Sequence, residues 1–135
     1  MNYIFIATVL IILMFLLAGI KKATSISSTA NYLKSKINFN IPFSFYQLAI
    51  ILVFILQISS SIMLLYSAYT GKYSNYATYS AIGLIGFTIL ATLIFHYPPV
   101  GQDYYSFMSN LSTIGGLLML VLYFKNKYNS NIINE

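Results

Sequence analysis

The sequence contains no cysteine, no arginine and only two acidic residues. Without cysteine, the chain itself cannot form disulfides, thiolate metal sites or dithiol redox pairs. Only 7% of its 135 residues are charged, whereas an ordinary soluble domain carries about 25%. With 59% hydrophobic residues and a mean hydropathy of +0.77, a soluble fold could not cover its surface. The composition therefore indicates an integral membrane protein.

The positive charge comes from lysines that are spread along the chain. Seven lysines outweigh the two acidic residues and give a formal net charge of +5, without a dense basic run. Isolated lysines at the ends of membrane spans attract an anionic lipid surface by about 1 kcal/mol each. This pattern favours the lipid bilayer, and not nucleic acid, as the partner. The lysines fall almost evenly between the two expected membrane faces, so no orientation follows from them.

Four windows free of charged residues are long enough to span a membrane. They cover residues 3–20, 46–66, 77–95 and 108–124. The first window, at 1.5 Å per residue, covers roughly 27 Å of hydrocarbon. A cleaved signal peptide is the alternative for that window, but no lysine precedes it, while Lys21 and Lys22 follow it. The fourth window is the weakest, because serine, threonine, asparagine and glycine dilute its first half.

The segment between the first two windows has a helical pattern over about residues 25–38. Four of its apolar residues recur at steps of 4, 3 and 4 and share one helix face: Ile26, Ala30, Leu33 and Ile37. We expect an amphipathic interfacial helix lying on the bilayer, with Lys34 and Lys36 as anchors whose ammonium groups reach water. Lys22 is expected to be a similar anchor at the end of the first span. The alternative for this segment is a partly ordered polar loop.

Together these features predict an all-α fold. It is an integral membrane four-helix bundle, with an amphipathic interfacial helix between the first and second spans, in a single membrane domain over residues 1–135. Small residues on the third and fourth spans favour close helix contacts, because lipid tails compete for apolar surface.

Gln57 lies near the middle of the second span, where an unpaired amide is costly in hydrocarbon. The side chain must therefore face the bundle. One interpretation is an interhelical hydrogen bond, worth about 1 kcal/mol. The other is a contact to a quinone or another small apolar ligand that carries a carbonyl group.

His96 and Asp103 are the only histidine and the only internal carboxylate, and they bracket the Pro98-Pro99 turn. A proton relay requires such a titratable pair, and histidine titrates near neutrality. The alternative is that His96 caps the third span while Asp103 is a solvated charge. No nucleotide-binding loop, metal-ligand cluster or catalytic triad pattern appears, so no metal is expected.

The order of several short segments resembles the DoxX family of small four-helix membrane proteins. These segments are FLLAGIKK (15–22), STANYLKSKINFNIP (28–42), ILQISSSIMLLYSA (55–68), FHYPP (95–99) and FMSNLSTIGGLLML (107–120). The resemblance implies a four-helix bundle with an amphipathic segment after the first span. It also implies an accessory role in some members, as a subunit of quinone-linked or thiol-redox complexes, while many members have no assigned activity.

The same resemblance assigns roles to three positions. Lys22 takes the place of a basic residue that often follows the Ala-Gly pair, and His96 takes that of the polar residue ending the third helix. Gln57 stands where many members are expected to have an acidic residue. The intramembrane carboxylate of that pattern is therefore missing, which argues against proton-coupled or redox chemistry in this chain.

The leading functional hypothesis is a multi-pass, non-catalytic membrane subunit or a bundle that binds a small apolar ligand. The expected partners are the lipid bilayer and either a membrane protein complex or further copies of the chain. A quinone-linked oxidoreductase subunit is the first alternative, with Gln57 and His96 bonding the quinone as cofactor. A small transporter is the second, although few polar positions are available to line a water path. The sequence does not indicate which membrane holds the protein.

Overall fold

The structure is a computed structural model that describes residues 3–133. This part of the chain forms five helices and no strand: α1 (Tyr3–Thr24), α2 (Ile26–Ile37), α3 (Phe43–Thr70), α4 (Ser74–Phe95) and α5 (Gln102–Ile133). All except α2 are long and apolar enough to cross a membrane. The all-α prediction with four candidate spans is confirmed.

The four long helices pack in a ring in the order α1, α3, α4, α5, and α5 closes the ring on α1. Short connections, 71–73 after α3 and 96–101 after α4, make these neighbours antiparallel. The rings of Phe5 and Tyr69 meet at 5.8 Å, which places the start of α1 beside the end of α3. We call the opposite end of the bundle the α2 end. It holds the end of α1, all of α2 and the connection from α4 to α5.

The bundle core consists of one inward stripe from each long helix. In α1 the buried residues recur at steps of 4, 3 and 4: Thr8, Ile12, Phe15 and Gly19. Gly19 permits close approach of α1 to α3, since an added Cβ would lie 3.0 Å from Ile58 Cδ1. Small residues at such contacts are how membrane helices gain packing that lipid cannot supply.

All four long helices extend beyond the apolar windows found in the sequence. Helix α3 begins directly after Pro42 and continues to Thr70, where Gly71 adopts a left-handed φ of 75° and its N–H donates to Ser67 O at 2.8 Å. Helix α5 runs from Gln102 to Ile133. Apolar windows mark where the chain loses hydrophobicity, whereas backbone hydrogen bonds continue through polar residues until a cap ends them.

Helix α2 forms where the periodicity predicts a helix, and the polar-loop alternative is wrong. Its apolar stripe packs on α3 and the end of α4, with Ala30 and Leu33 buried against Tyr46 and Ile50. The helix ends at Asn38, which is left-handed and donates its N–H to Lys34 O at 2.8 Å. The placement of α2 on the bilayer surface stays a prediction.

Candidate ligand-binding site

A cavity of about 670 Å³ lies at the α2 end, lined by α2, α3, α4 and the last turn of α1. Its walls are mostly apolar and include Leu33, Ile37, Ile50, Val53, Phe87 and Ala91. Pockets for small molecules in proteins are of this size, about 300–1,000 Å³, and have the same apolar character with a few polar groups.

The cavity exists because α2 spans from α3 to α4 over small side chains. On one side α2 packs on α3, and Tyr46 OH of α3 donates to Phe39 O in the connection that follows α2, at 2.8 Å. On the other side the ring of Tyr32 stacks on Phe95, with centroids 5.3 Å apart and an interplanar angle of 11°. Ala49 on α3 and Ala91 on α4 line the space that these contacts bridge. Two aromatic supports and two alanines thus leave the cavity open beneath α2.

Lys22 provides the polar end of the cavity. Its partly buried ammonium donates to Gln57 Oε1 at 3.0 Å and to Ala18 O at 3.4 Å, and lies 5.7 Å from the centre of the Phe87 ring. An ammonium has three N–H donors, so these two hydrogen bonds leave one unused. In the described part of the chain no carboxylate lies within ion-pair distance of Lys22. A cation that has no counter-charge among the described residues therefore borders an apolar space.

Gln57 accepts a hydrogen bond from the Lys22 ammonium and lies outside the cavity wall. Its side chain is only 1% exposed and is absent from the cavity wall. The hydrogen bond to Lys22 joins α3 to α1, so Gln57 makes the interhelical contact that its position in the span requires. Its effect on the cavity is to hold the Lys22 ammonium in place.

His96 and Asp103 also meet at the α2 end. His96 Nδ1 lies 3.0 Å from Asp103 Oδ1, and the two side chains are 28% and 47% exposed. His96 caps α4 through its backbone N–H, which donates to Thr92 O at 2.9 Å, and the residue lines the cavity. The structure thus brings this pair together at the rim, while the hydrogen bond of Gln57 goes to Lys22.

The remaining anchor residues lie outside the cavity. Lys34 and Lys36 are exposed on α2, and Lys36 Nζ lies 5.6 Å from the centre of the Tyr32 ring. Among the residues described, no three His or acidic side chains are close enough together to hold a metal ion.

Lys22 is the residue whose place in the site was not predicted. Three residues after Gly19, it continues the 4-3-4 spacing of the buried stripe of α1, whereas its neighbour Lys21 is exposed. That spacing is a signal that could have separated the inward lysine from the outward one. The signal is visible only once the inward stripe of α1 is known, because almost every residue of this helix is apolar.

Comparison with known proteins gives one match. The DoxX family model matches residues 4–97, which is more than half of the chain and includes Lys22, Gln57 and every residue of the cavity wall. Helix α5, with the segment 107–120, lies outside the matched region. No curated protein and no solved structure matches the chain.

Proposed function

The chain belongs to the DoxX family and is a multi-pass membrane protein, and on this basis we propose that it binds a small lipophilic molecule in the cavity beneath α2. Binding is the function, and the bundle catalyses no reaction by itself. The observation that carries this proposal is the apolar cavity of about 670 Å³ with one cationic donor, Lys22, at its end.

The distribution of polar groups supports binding of a molecule with one polar end. The walls contributed by α3 and α4 offer aliphatic and aromatic surface, on which an apolar body gains van der Waals contacts. The unused N–H of Lys22 then fixes the direction in which the molecule lies. Few directed polar contacts within an apolar wall are the usual arrangement in small-molecule sites.

The cavity opens towards the side of the bundle. Tyr32 on α2 and Leu90 on α4 line it, yet they are 52% and 61% exposed. Leu90 lies within an apolar candidate span, so its outer surface faces lipid when α4 crosses the membrane. A lipophilic molecule thus enters laterally from the bilayer. In this arrangement α2 lies at the membrane–water interface and covers the cavity, with Lys34 and Lys36 directed to water.

A quinone-linked oxidoreductase subunit is the second candidate. The His96–Asp103 pair at the rim favours it, since a quinone head needs a hydrogen-bond donor and a nearby group that exchanges protons. Electrons would have to come from a partner protein. The identity of the bound molecule separates the two candidates.

The test is to purify the protein in mild detergent and identify the lipophilic molecules that remain bound. Ala91→Phe fills the cavity, and Gly86→Phe is the matched control on the same helix, because an added Cβ at Gly86 meets nothing within 4 Å. We expect the wild type and Gly86→Phe to retain a lipophilic molecule and Ala91→Phe to lose most of it, because the added ring occupies the space of the ligand. Equal retention in all three proteins would refute binding in this cavity. A retained quinone would favour the second candidate.

A further inference from the structure

A second, more polar cavity of about 410 Å³ adjoins the first at the start of α2. Lys21, Lys22, Thr29 and Tyr32 line both cavities. The second cavity adds serine hydroxyls, including that of Ser28, to the apolar walls of the first. The two lysines thus stand at a boundary, with apolar surface on one side and hydroxyl groups on the other.

This boundary carries the positive charge of Lys21 and Lys22. In the described residues neither Lys21 nor Lys22 has a carboxylate partner within 4 Å. Lys22 has an unused N–H. A partly buried ammonium is costly unless an opposite charge compensates it. A neutral ligand would leave that cost in place, whereas a carboxylate or phosphate would remove it through charge-assisted hydrogen bonds.

We infer that the ligand is an anionic amphiphile, a lipid whose acyl chain occupies the larger cavity and whose carboxylate or phosphate lies against Lys22 and Lys21. This inference rests on the proposed function and names the chemical class of its ligand. The acyl chain of the lipid fits the apolar walls around Phe87 and Ala91, and its anionic group fits the smaller cavity beside Ser28.

Gln57 is essential to this selectivity as a positioning residue. Its amide holds the Lys22 ammonium through a 3.0 Å hydrogen bond and leaves the charge uncompensated. A glutamate of nearly the same shape at this position would form an internal ion pair with Lys22. The substitution Gln57→Glu therefore removes the demand for an external anion while preserving the size of the side chain.

The experiment uses a single tryptophan as a reporter, because the chain has none of its own. Phe87→Trp places the indole in the larger cavity, and Leu118→Trp, on the exposed side of α5, measures non-specific partition into the detergent micelle. Dibromostearate and its methyl ester serve as quenchers that share one acyl chain and differ in charge. We expect saturable quenching of the cavity indole and only linear quenching of the outward one.

The charge dependence is measured in the Phe87→Trp protein with Lys22→Gln, Gln57→Glu or, as a matched control, Lys34→Gln. We expect the first two substitutions to weaken the binding of dibromostearate at least about tenfold and to change the affinity for the methyl ester by less than about twofold. Lys34→Gln should change neither, because Lys34 lies outside both cavities. Retained ester binding shows that the cavity still forms.

Several results would overturn the inference. The acid and the ester could bind equally, with neither affinity changed by Lys22→Gln or Gln57→Glu. The cavity would then bind a lipophile independently of its charge, which contradicts this inference and supports only the proposed function. If Lys22→Gln and Gln57→Glu each abolish the binding of both quenchers, Lys22 and Gln57 serve only to maintain the fold. Displacement of dibromostearate by inorganic phosphate would indicate a free-anion site. Absence of saturable quenching by either compound would refute the proposed function as well.

Discussion

Lys22 in α1 and Gln57 in α3 are joined by a hydrogen bond of 3.0 Å between the ammonium Nζ and the amide Oε1. The amide is buried in the bundle, while the ammonium reaches the cavity wall. One contact therefore connects helix packing with the chemistry of the candidate site. Its removal should affect both stability and ligand binding.

Gln57→Leu should lower the free energy of unfolding by about 1–3 kcal/mol, because it leaves a partly buried ammonium without its main acceptor. The measurement is the loss of helical circular dichroism during denaturation in mixed micelles.

The pairing itself is tested by a double-mutant cycle with Lys22→Met. The doubly substituted protein should be more stable than the sum of the two single effects implies, with a coupling of about 1 kcal/mol. Strictly additive effects would show that the two side chains do not stabilise each other.

Gly19→Val should destabilise the bundle by about 1–3 kcal/mol, because its Cβ would lie 3.0 Å from Ile58 Cδ1 and branched methyl groups would press further on α3. Gly86→Val is the control, since it faces open space. The comparison uses the same micelle denaturation. A Gly86 variant as unstable as the Gly19 variant would mean that loss of glycine, and not close helix contact, is the cause.

Asn110→Ala should weaken the α4–α5 contact by about 1 kcal/mol. Asn110 Nδ2 donates to Thr92 Oγ1 at 3.0 Å, and that hydroxyl donates in turn to Thr88 O at 2.6 Å. Asn126, exposed on the same helix, supplies the matched Asn126→Ala control, which should be nearly neutral. Equal effects of the two substitutions would exclude a specific role for this hydrogen bond.

The antiparallel order of the helices predicts which positions share a membrane face. Because the chain lacks cysteine, single cysteines at Tyr73 and Asn129 should react with an impermeant maleimide from one side. Cysteines at Ser35 and Val100 should react from the other side, and all four should react after permeabilisation. Tyr73 and Ser35 labelled from the same side would contradict the four-span arrangement.

The number and order of the helices could be predicted because charge is so scarce that each span stands out as an uninterrupted window. The helix ends could not be predicted in the same way. Helix α5 begins at Gln102, six residues before its window, since a polar turn remains helical while its backbone hydrogen bonds are satisfied. Hydrophobicity reports where lipid contacts a helix, and caps such as Gly71 determine where the helix ends.

The candidate site was predictable only in part. Gln57 had to face the bundle, because lipid offers an amide no partner. Its partner was not identified, since an apolar helix such as α1 does not reveal from composition which stripe faces inward. The inward position of Lys22 depends on the packing of α1 against α3 around Gly19, which is a property of two helices together. The cavity depends in turn on α2 spanning from α3 to α4.

The most direct test of the central claim is an experimental structure of the protein in a lipid environment. We expect an elongated molecule between α2 and α4, with its polar group at hydrogen-bond distance, about 3 Å, from Lys22 Nζ. A cavity closed by inward movement of α2, with Lys22 paired only to Gln57 and Ala18, would contradict the proposal that this bundle binds a lipophilic ligand.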